Sequence, residues 1–423
     1  MKKARWRLLP LLALGYLIAF MDRANLSFAA ESMNRQLHFT PSIYGFGAGL
    51  FFLGSAAFEM PSNSLLLRVG ARRWLARIMF TWGLIAMAMI FIHTTRSFYV
   101  MRLLLGIAEA GYFPGVLFYL SRWFSEAHRA RAIALFYISF PLGNTVMGAL
   151  SGPLLYLDGR LGLHGWQWIF LVEGVPALLL SIVLWFLLPD GPEDATFLNE
   201  GERAALMAEV APTPPRAIAG LRAHWEVFRE PRVWVLAFFF FCMLGSSYAL
   251  TFFLPQLLRG ATGWTIGQIG SLIAVTGIVA AVAMLGNAAH SDGTGERRWH
   301  ICIPVLMMSA LLFIASRHMT GWLPAACLMG YTVLYSSFQA PLMTLLTKSR
   351  SARSGAIAIA MINTCGISGG FFGPYLVGWL LDRGGTYGTA LLTLSVVWLV
   401  AQFAVVAYTA ILQRDQTLSP ANA

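Results

Sequence analysis

Long apolar runs follow one another through this chain and leave it few ways to fold. They lie near residues 8–30, 43–67, 74–93, 98–120, 130–155, 166–188, 232–257, 265–289, 300–316, 322–347, 354–381 and 387–412. Each is about as long and apolar as a helix must be to cross a hydrocarbon core of roughly 30 Å. Gly and Pro occur freely within them, which lipid tolerates better than water does. The runs are too long, and alternate too little, for barrel strands. Apolar residues make up 57% of the chain and charged residues only 12%, about half the charged share of a soluble domain. A large soluble catalytic domain, a disordered chain and a coiled coil are thereby excluded. The expected class is an all-α integral membrane protein of twelve transmembrane helices.

A formal net charge of +11 would suggest nucleic acid as the partner of a soluble protein. Here its distribution explains it. With the N-terminus inside, 22 of the 30 Lys and Arg residues fall in cytoplasmic segments and only six in outer loops (Arg35, Arg96, Arg160, Arg259, Arg317, Arg383). Basic residues accumulate on the cytoplasmic side of membrane proteins. The expectation is a multi-pass protein of the inner, or plasma, membrane with both termini in the cytoplasm and no nucleic-acid partner. The first run is not read as a cleaved secretory signal, because eleven further runs follow without a small-residue cleavage site between.

The chain repeats once. Gly70-Ala-Arg-Arg-Trp74 returns as Gly295-Glu-Arg-Arg-Trp299, Arg129-Ala-Arg-Ala-Ile-Ala-Leu135 as Arg353-Ser-Gly-Ala-Ile-Ala-Ile359, and Gly152-Pro153 as Gly373-Pro374. The nearly constant offset implies a six-plus-six duplication. Residues 1–188 are expected to form an N-terminal six-helix bundle. A Pro-rich cytoplasmic linker would cover 189–231, and a C-terminal bundle with a short tail 232–423.

A charge at mid-membrane costs about 2.5–3.5 kcal/mol on insertion scales, so charges retained there need a reason. Apart from the arginines at their cytoplasmic ends, the spans of the first half keep Asp22, Arg23, Glu59, Arg102, Glu109 and Glu173, and those of the second half keep none. At about 1.5 Å per residue, Asp22 and Arg23 in span 1 fall between Arg102 and Glu109 of span 4 in depth, all within roughly 12 Å along the membrane normal. Arg102 and Glu109 are two turns apart on one face. Two ion pairs stapling helices together would account for these four. The alternative is a substrate anion held by the fork-shaped arginines, with the acids taking protons when substrate displaces them. Glu59 and Glu173 lie nearer span ends, where hydrogen bonds that brace or gate the helices are expected. Polar groups in the second half are neutral, and Tyr248, Tyr335 and Asn363 are the expected ligand contacts there.

Other chemistry finds no foothold. The four cysteines are scattered through spans and the eight histidines lie in loops or at span ends, so no disulfide framework, metal site or cofactor is expected. No phosphate-binding Gly-x-x-x-x-Gly-Lys-Ser/Thr sequence occurs, and neither a nucleophile elbow nor a dinucleotide fingerprint is present. The protein is not expected to be an enzyme.

Met21-Asp-Arg-Ala-Asn-Leu26, Phe58-Glu-Met-Pro-Ser-Asn63, Arg68-Val-Gly-Ala-Arg-Arg-Trp74, Arg102-Leu-Leu-Leu-Gly-Ile-Ala-Glu-Ala-Gly-Tyr-Phe-Pro-Gly115, Gly165-Trp-Gln-Trp-Ile-Phe170 and Gly370-Phe-Phe-Gly-Pro-Tyr375 together resemble the anion:cation symporter family of the major facilitator superfamily. The resemblance runs along the whole chain and looks closest to the tartrate, phthalate, 4-hydroxyphenylacetate and pantothenate–allantoate branch. It implies two pseudo-symmetric six-helix halves that alternate access to a central site. It also implies proton coupling by Asp22 and Glu109, and substrate-carboxylate binding by Arg102 with Arg23 in support. Phe20 and Phe140 replace the Tyr and Gln of sugar-acid carriers, which favours a shorter or more apolar carboxylate. Leu67 stands where the superfamily usually places Asp, whereas the second copy keeps Asp292.

The expectation is therefore a monomeric, proton-coupled symporter importing a small organic anion, tartrate-like or aromatic. An exchanger or exporter of the same fold is the nearer rival. A membrane nutrient sensor that does not transport is the rival of another class, although the longest cytoplasmic segment is short for a signalling domain.

Overall fold

A computed structural model describes residues 2–210, 225, 227–348 and 352–418. All regular structure among them is helical. The centre of the expected linker, 211–224, lies outside the described residues, as do the side chains of 352–357 in the second copy of the Arg353 repeat.

Two compact units divide the chain. The first is formed by Met1–His38 and Leu50–Arg216, the second by Phe39–Gly49 and Ala217–Ala423. Residues 39–49, read from sequence as part of the N-terminal bundle, thus group with the second unit. The first unit is built from α1 (Lys2–Leu37), most of α2 (Pro41–Val69), α3 (Ala71–Ala88), α4 (Thr95–Glu109), α5 (Tyr112–Trp123), α6 (Glu126–Tyr137), α7 (Ser139–Leu155), α8 (Gly165–Leu187) and α9 (Glu200–Glu209). Within it α3 lies along α8, and α1 packs on both α7 and α8. The second unit holds α10 (Pro231–Thr262), α11 (Ile266–Thr294), α12 (Arg298–Arg317), α13 (Trp322–Ser337), α14 (Gln339–Lys348), α15 (Ala352–Asp382) and α16 (Tyr387–Leu418). There α10 packs along α15 and α12 along α16. Ser309 and Ser395 exchange hydroxyl-to-carbonyl hydrogen bonds of 2.9 and 2.8 Å across the second of these pairs, an apolar-medium adhesive suited to lipid.

Nine helical stretches among the described residues, one of them α4 and α5 taken together, are long and apolar enough to cross a membrane. The other three expected spans are helical but interrupted, or fall partly among side chains that are not described. Prolines explain where helices break. A proline lacks its N–H and pushes against the carbonyl four residues earlier. Pro114 thereby frees the carbonyl of Ala110, which accepts the Ser62 hydroxyl at 2.6 Å. Pro341 frees that of Ser337, which accepts the Asn287 amide at 2.9 Å. Span 4 is accordingly two helices: Ala110 turns extended (ψ 130°) and Gly111 is left-handed (φ 86°).

The linker's start belongs to the first unit. Asp190 accepts the backbone N–H of Arg72 at 2.9 Å and pairs with the Arg72 guanidinium at 3.4 Å. Arg122 reaches Glu193 at 2.6 Å, and Lys3 reaches Glu202 of α9 at 2.6 Å. The acid missing at Leu67 is thus supplied from the linker, while in the second copy Asp292 pairs with Arg297 at 2.5 Å.

Large apolar side chains such as Phe186, Val282 and Phe403 are exposed along the helices, an arrangement that water penalises and hydrocarbon does not. Inside the first unit, a Cβ at Gly111 would meet Ser62 Oγ at 2.3 Å, and a side chain there also carries left-handed strain of about 1–2 kcal/mol. Gly111→Ala should lower the thermal unfolding midpoint in detergent more than Gly159→Ala, whose φ is also positive but which has open space around it. Equal shifts would mean that the Ser62 contact contributes nothing.

Candidate functional site

Close helix approach places the site. A Cβ on Gly106 would lie 2.0 Å from the carbonyl oxygen of Phe51, so the backbones of α2 and α4 touch between Arg102 and Glu109. The Phe51 ring lies 5.1 Å from the Arg102 guanidinium carbon and 5.6 Å from that of Arg23, so one aromatic ring serves two cations. Arg23 also sits 4.8 Å from the Phe20 ring.

All four residues expected to converge do so. Arg23 donates from Nη2 to Glu109 Oε1, joining α1 to the last residue of α4. Asp22 lies within electrostatic reach of both Arg102 and Arg23, and Glu109 within reach of both arginines and of Asp22. Arg102 is 0% exposed and Asp22 1%. The Arg23 side chain, at 17%, is the most open member. Neighbours in sequence point apart on a helix, which is why Arg23 pairs with Glu109 and leaves its neighbour Asp22 to face other partners.

Two members of the cluster were not expected. Glu173 of α8 is buried and accepts a hydrogen bond from Asn25 Nδ2. The same amide nitrogen lies 3.4 Å from Asp22 Oδ1. Glu173 is also within electrostatic reach of Asp22, Glu109 and Arg102. It therefore belongs to the charge cluster and does not stand apart near a span end, as its position along the sequence suggested. The available signal was Asn25, three residues after Asp22 and so on the same helical face. Glu59 is half-buried on α2.

An aromatic group adjoins Arg23 through Phe20. Phe20 and Phe140, the two departures from the sugar-acid pattern, meet edge-on with centroids 4.6 Å apart. Tyr16 stacks on Phe136 at 4.3 Å and on Phe113 at 5.4 Å.

The remaining expected contacts lie in the second unit. Tyr335 is packed among Tyr331, Phe338 and Trp398 with centroids 5.7–6.3 Å away. Tyr248 is half-buried on α10 and stacks on Phe252, and Asn363 is half-buried on α15. An apolar cavity of about 370 Å³ lies between α10, α15 and α16, lined by Phe241, Phe372 and Trp379 among others, with no charged side chain.

Removing one partner of a buried ion pair strands the other charge, at a cost of about 3–5 kcal/mol. Glu109→Ala should therefore destabilise the protein on that order. The double variant Arg23→Met, Glu109→Leu should recover much of the loss in chemical unfolding, yet show no transport. A stable, fully active Glu109→Ala protein would show that the pair carries neither role.

Comparison with known proteins gives a concordant result. The sequence profile of the Major Facilitator Superfamily matches residues 12–374. A provisionally named tartrate transporter of Agrobacterium vitis is 41% identical over 389 residues, covering 92% of this chain and 86% of the relative. A quinolone resistance transporter of Acinetobacter baumannii is 35% identical, covering 97% and 95%. Among solved structures, a bacterial homolog of the human lysosomal transporter Spinster, inward-facing and occupied, superposes with a TM-score of 0.77 at 16% identity, covering 97% of this chain and 98% of that one.

Proposed function

Because the chain belongs to the Major Facilitator Superfamily, we propose that it imports a small organic carboxylate together with protons, across the inner membrane and with both termini in the cytoplasm. Its coarser nature needs no proposal: it is a multi-pass membrane protein and a non-catalytic secondary transporter of small organic solutes that works by alternating access. The twelve-span, two-bundle arrangement is part of the proposal.

The observation that carries the reading is the Arg23–Glu109 pair set within a buried cluster that also holds Asp22 and Arg102. A substrate carboxylate offers arginine the same two-oxygen acceptor that Glu109 does. When it engages the fork of Arg102, with Arg23 in support, it displaces Glu109 from Arg23. A buried carboxylate that loses its cation is far more costly ionised than neutral, so Glu109 takes a proton at that moment. Binding and protonation are thereby one event. The charge count agrees. Two arginines with Asp22 and Glu109 ionised sum to zero, and so does a bound dianion with both acids protonated. The low-dielectric crossing is inexpensive in each state, and at least one proton moves per substrate negative charge.

The Phe20 and Phe140 rings beside Arg23 favour an aromatic acid over a tartrate-like one, because these two rings offer a hydroxylated chain no hydrogen bonds. Within the second unit, Tyr248, Tyr335 and Asn363 are the proposed ligand contacts. Export is the second reading, favoured by the quinolone resistance relative.

Proteoliposome uptake separates these readings. Uphill accumulation of the carboxylate is expected only with an inward proton gradient, and equal accumulation without one would contradict symport. Glu109→Gln should keep carboxylate counterflow, because binding survives, and should lose gradient-driven accumulation because a proton site is gone. Arg102→Lys keeps the charge without the fork and should raise the half-saturating carboxylate concentration. Quinolone extrusion by everted vesicles without carboxylate uptake would support the second reading.

A further inference from the structure

Three carboxyls and two guanidiniums share the buried cluster, so one acid is surplus to the neutral sum. Of the two acids that accept from Asn25 Nδ2, Glu173 and Asp22, Asp22 has both arginines within electrostatic reach, whereas Glu173 has Arg102 together with two other carboxyls. Asn25 Nδ2 donates to its Oε2, while the other oxygen of Glu173, Oε1, and the other polar atom of the amide, Asn25 Oδ1, are both buried without a hydrogen-bond partner among the described residues. Glu173 is 3% exposed and Asn25 is fully buried. Two acceptors left facing no donor inside a membrane protein are costly. A single proton on Glu173 Oε1 removes both deficits, because the acid O–H then donates to Asn25 Oδ1 while the amide N–H donates to Oε2.

We propose that Glu173 is a permanently protonated carboxylic acid, closed into a cyclic acid–amide pair with Asn25, whose function is to aim the second Asn25 N–H at Asp22. The inference rests on the symport reading and assigns a member of the same site. Glu173 is thus a positioning residue. It fixes the Asn25 amide plane, and the amide in turn holds Asp22 Oδ1, 3.4 Å away. The charged groups within reach of Glu173 are Asp22, Glu109 and Arg102. The first two disfavour a third negative charge, and Arg102 lies between competing acids. The backbone enforces the placement. A Cβ on Gly174, the next residue, would meet Met87 Cγ at 2.4 Å and the Gly83 carbonyl oxygen at 2.8 Å, so α8 is pressed onto α3 and cannot turn Glu173 away. With Glu173 neutral, only Asp22 and Glu109 remain to exchange protons during transport, and the neutral sum holds.

Glutamine mimics the protonated acid, since its amide also donates to Asn25 Oδ1 and accepts from Asn25 Nδ2. Glu173→Gln should therefore transport within about twofold of the wild type and keep the same proton-to-substrate ratio. Glu173→Ala leaves the Asn25 amide unsatisfied and should lose uptake by about tenfold or more. Infrared spectra of the reconstituted protein at neutral pH should show a protonated-carboxyl C=O stretch that is absent from Glu173→Gln, with the ionised-carboxylate bands unchanged. Loss of carboxylate bands in Glu173→Gln, with no loss of the protonated stretch, would overturn the proposal. So would a Glu173→Gln protein that keeps counterflow but loses uphill uptake, because Glu173 would then carry a mobile proton. If proton symport itself fails, the wild type shows no gradient-driven uptake while the infrared difference stands, so the two failures are distinguishable.

Discussion

A charge carried into hydrocarbon must be repaid by another charge or a hydrogen bond, and the first unit of this protein is organised around that constraint. Arg23, Arg102, Asp22, Glu109 and Glu173 are held on α1, α4 and α8 within one electrostatic neighbourhood. The packing around them follows from keeping them there. Gly106 lets α2 approach α4 so that the Phe51 ring underlies both guanidiniums, and the break at Gly111 ends α4 immediately after Glu109. Each arginine has more than one acid within reach, and in the proposed cycle an incoming carboxylate takes the place of one of them while that acid takes a proton.

The second unit is built differently. Its helices are joined by hydroxyl-to-carbonyl hydrogen bonds such as Ser309–Ser395 and by aromatic packing around Trp398. The two units thus differ in chemistry: the first holds a buried charge cluster, and the polar groups named in the second are neutral. Assigning proton coupling to the first and neutral ligand contacts to the second is the simplest division of labour compatible with that contrast.

Much of this was legible in the residues. Long apolar runs announce membrane helices, and the depth of Asp22, Arg23, Arg102 and Glu109 along opposed spans implied their meeting because helical rise is nearly constant. What escaped depended on lateral position, which rise alone does not report. Glu173 lies towards a span end along the sequence, yet its side chain meets Asn25. The pairing of Arg23 with Glu109 rather than Asp22 follows from helical azimuth. Pro114 lies just after the break that follows Glu109, but Gly and Pro occur freely within all the runs, so nothing in the sequence marks it as a helix boundary. Asp190 could not have been matched to the gap at Leu67, since it is distant in sequence and meets Arg72 only in the folded unit.

The central claim is that carboxylate binding and acid protonation are one event. Proton uptake upon substrate addition, followed by an indicator dye in weakly buffered detergent solution, tests it without a membrane gradient. The account requires the purified protein to take protons from solution as it binds carboxylate, and Asp22→Asn, Glu109→Gln protein to bind with none taken up. Saturable binding by the unaltered protein at constant solution pH, with no proton consumed, would contradict it.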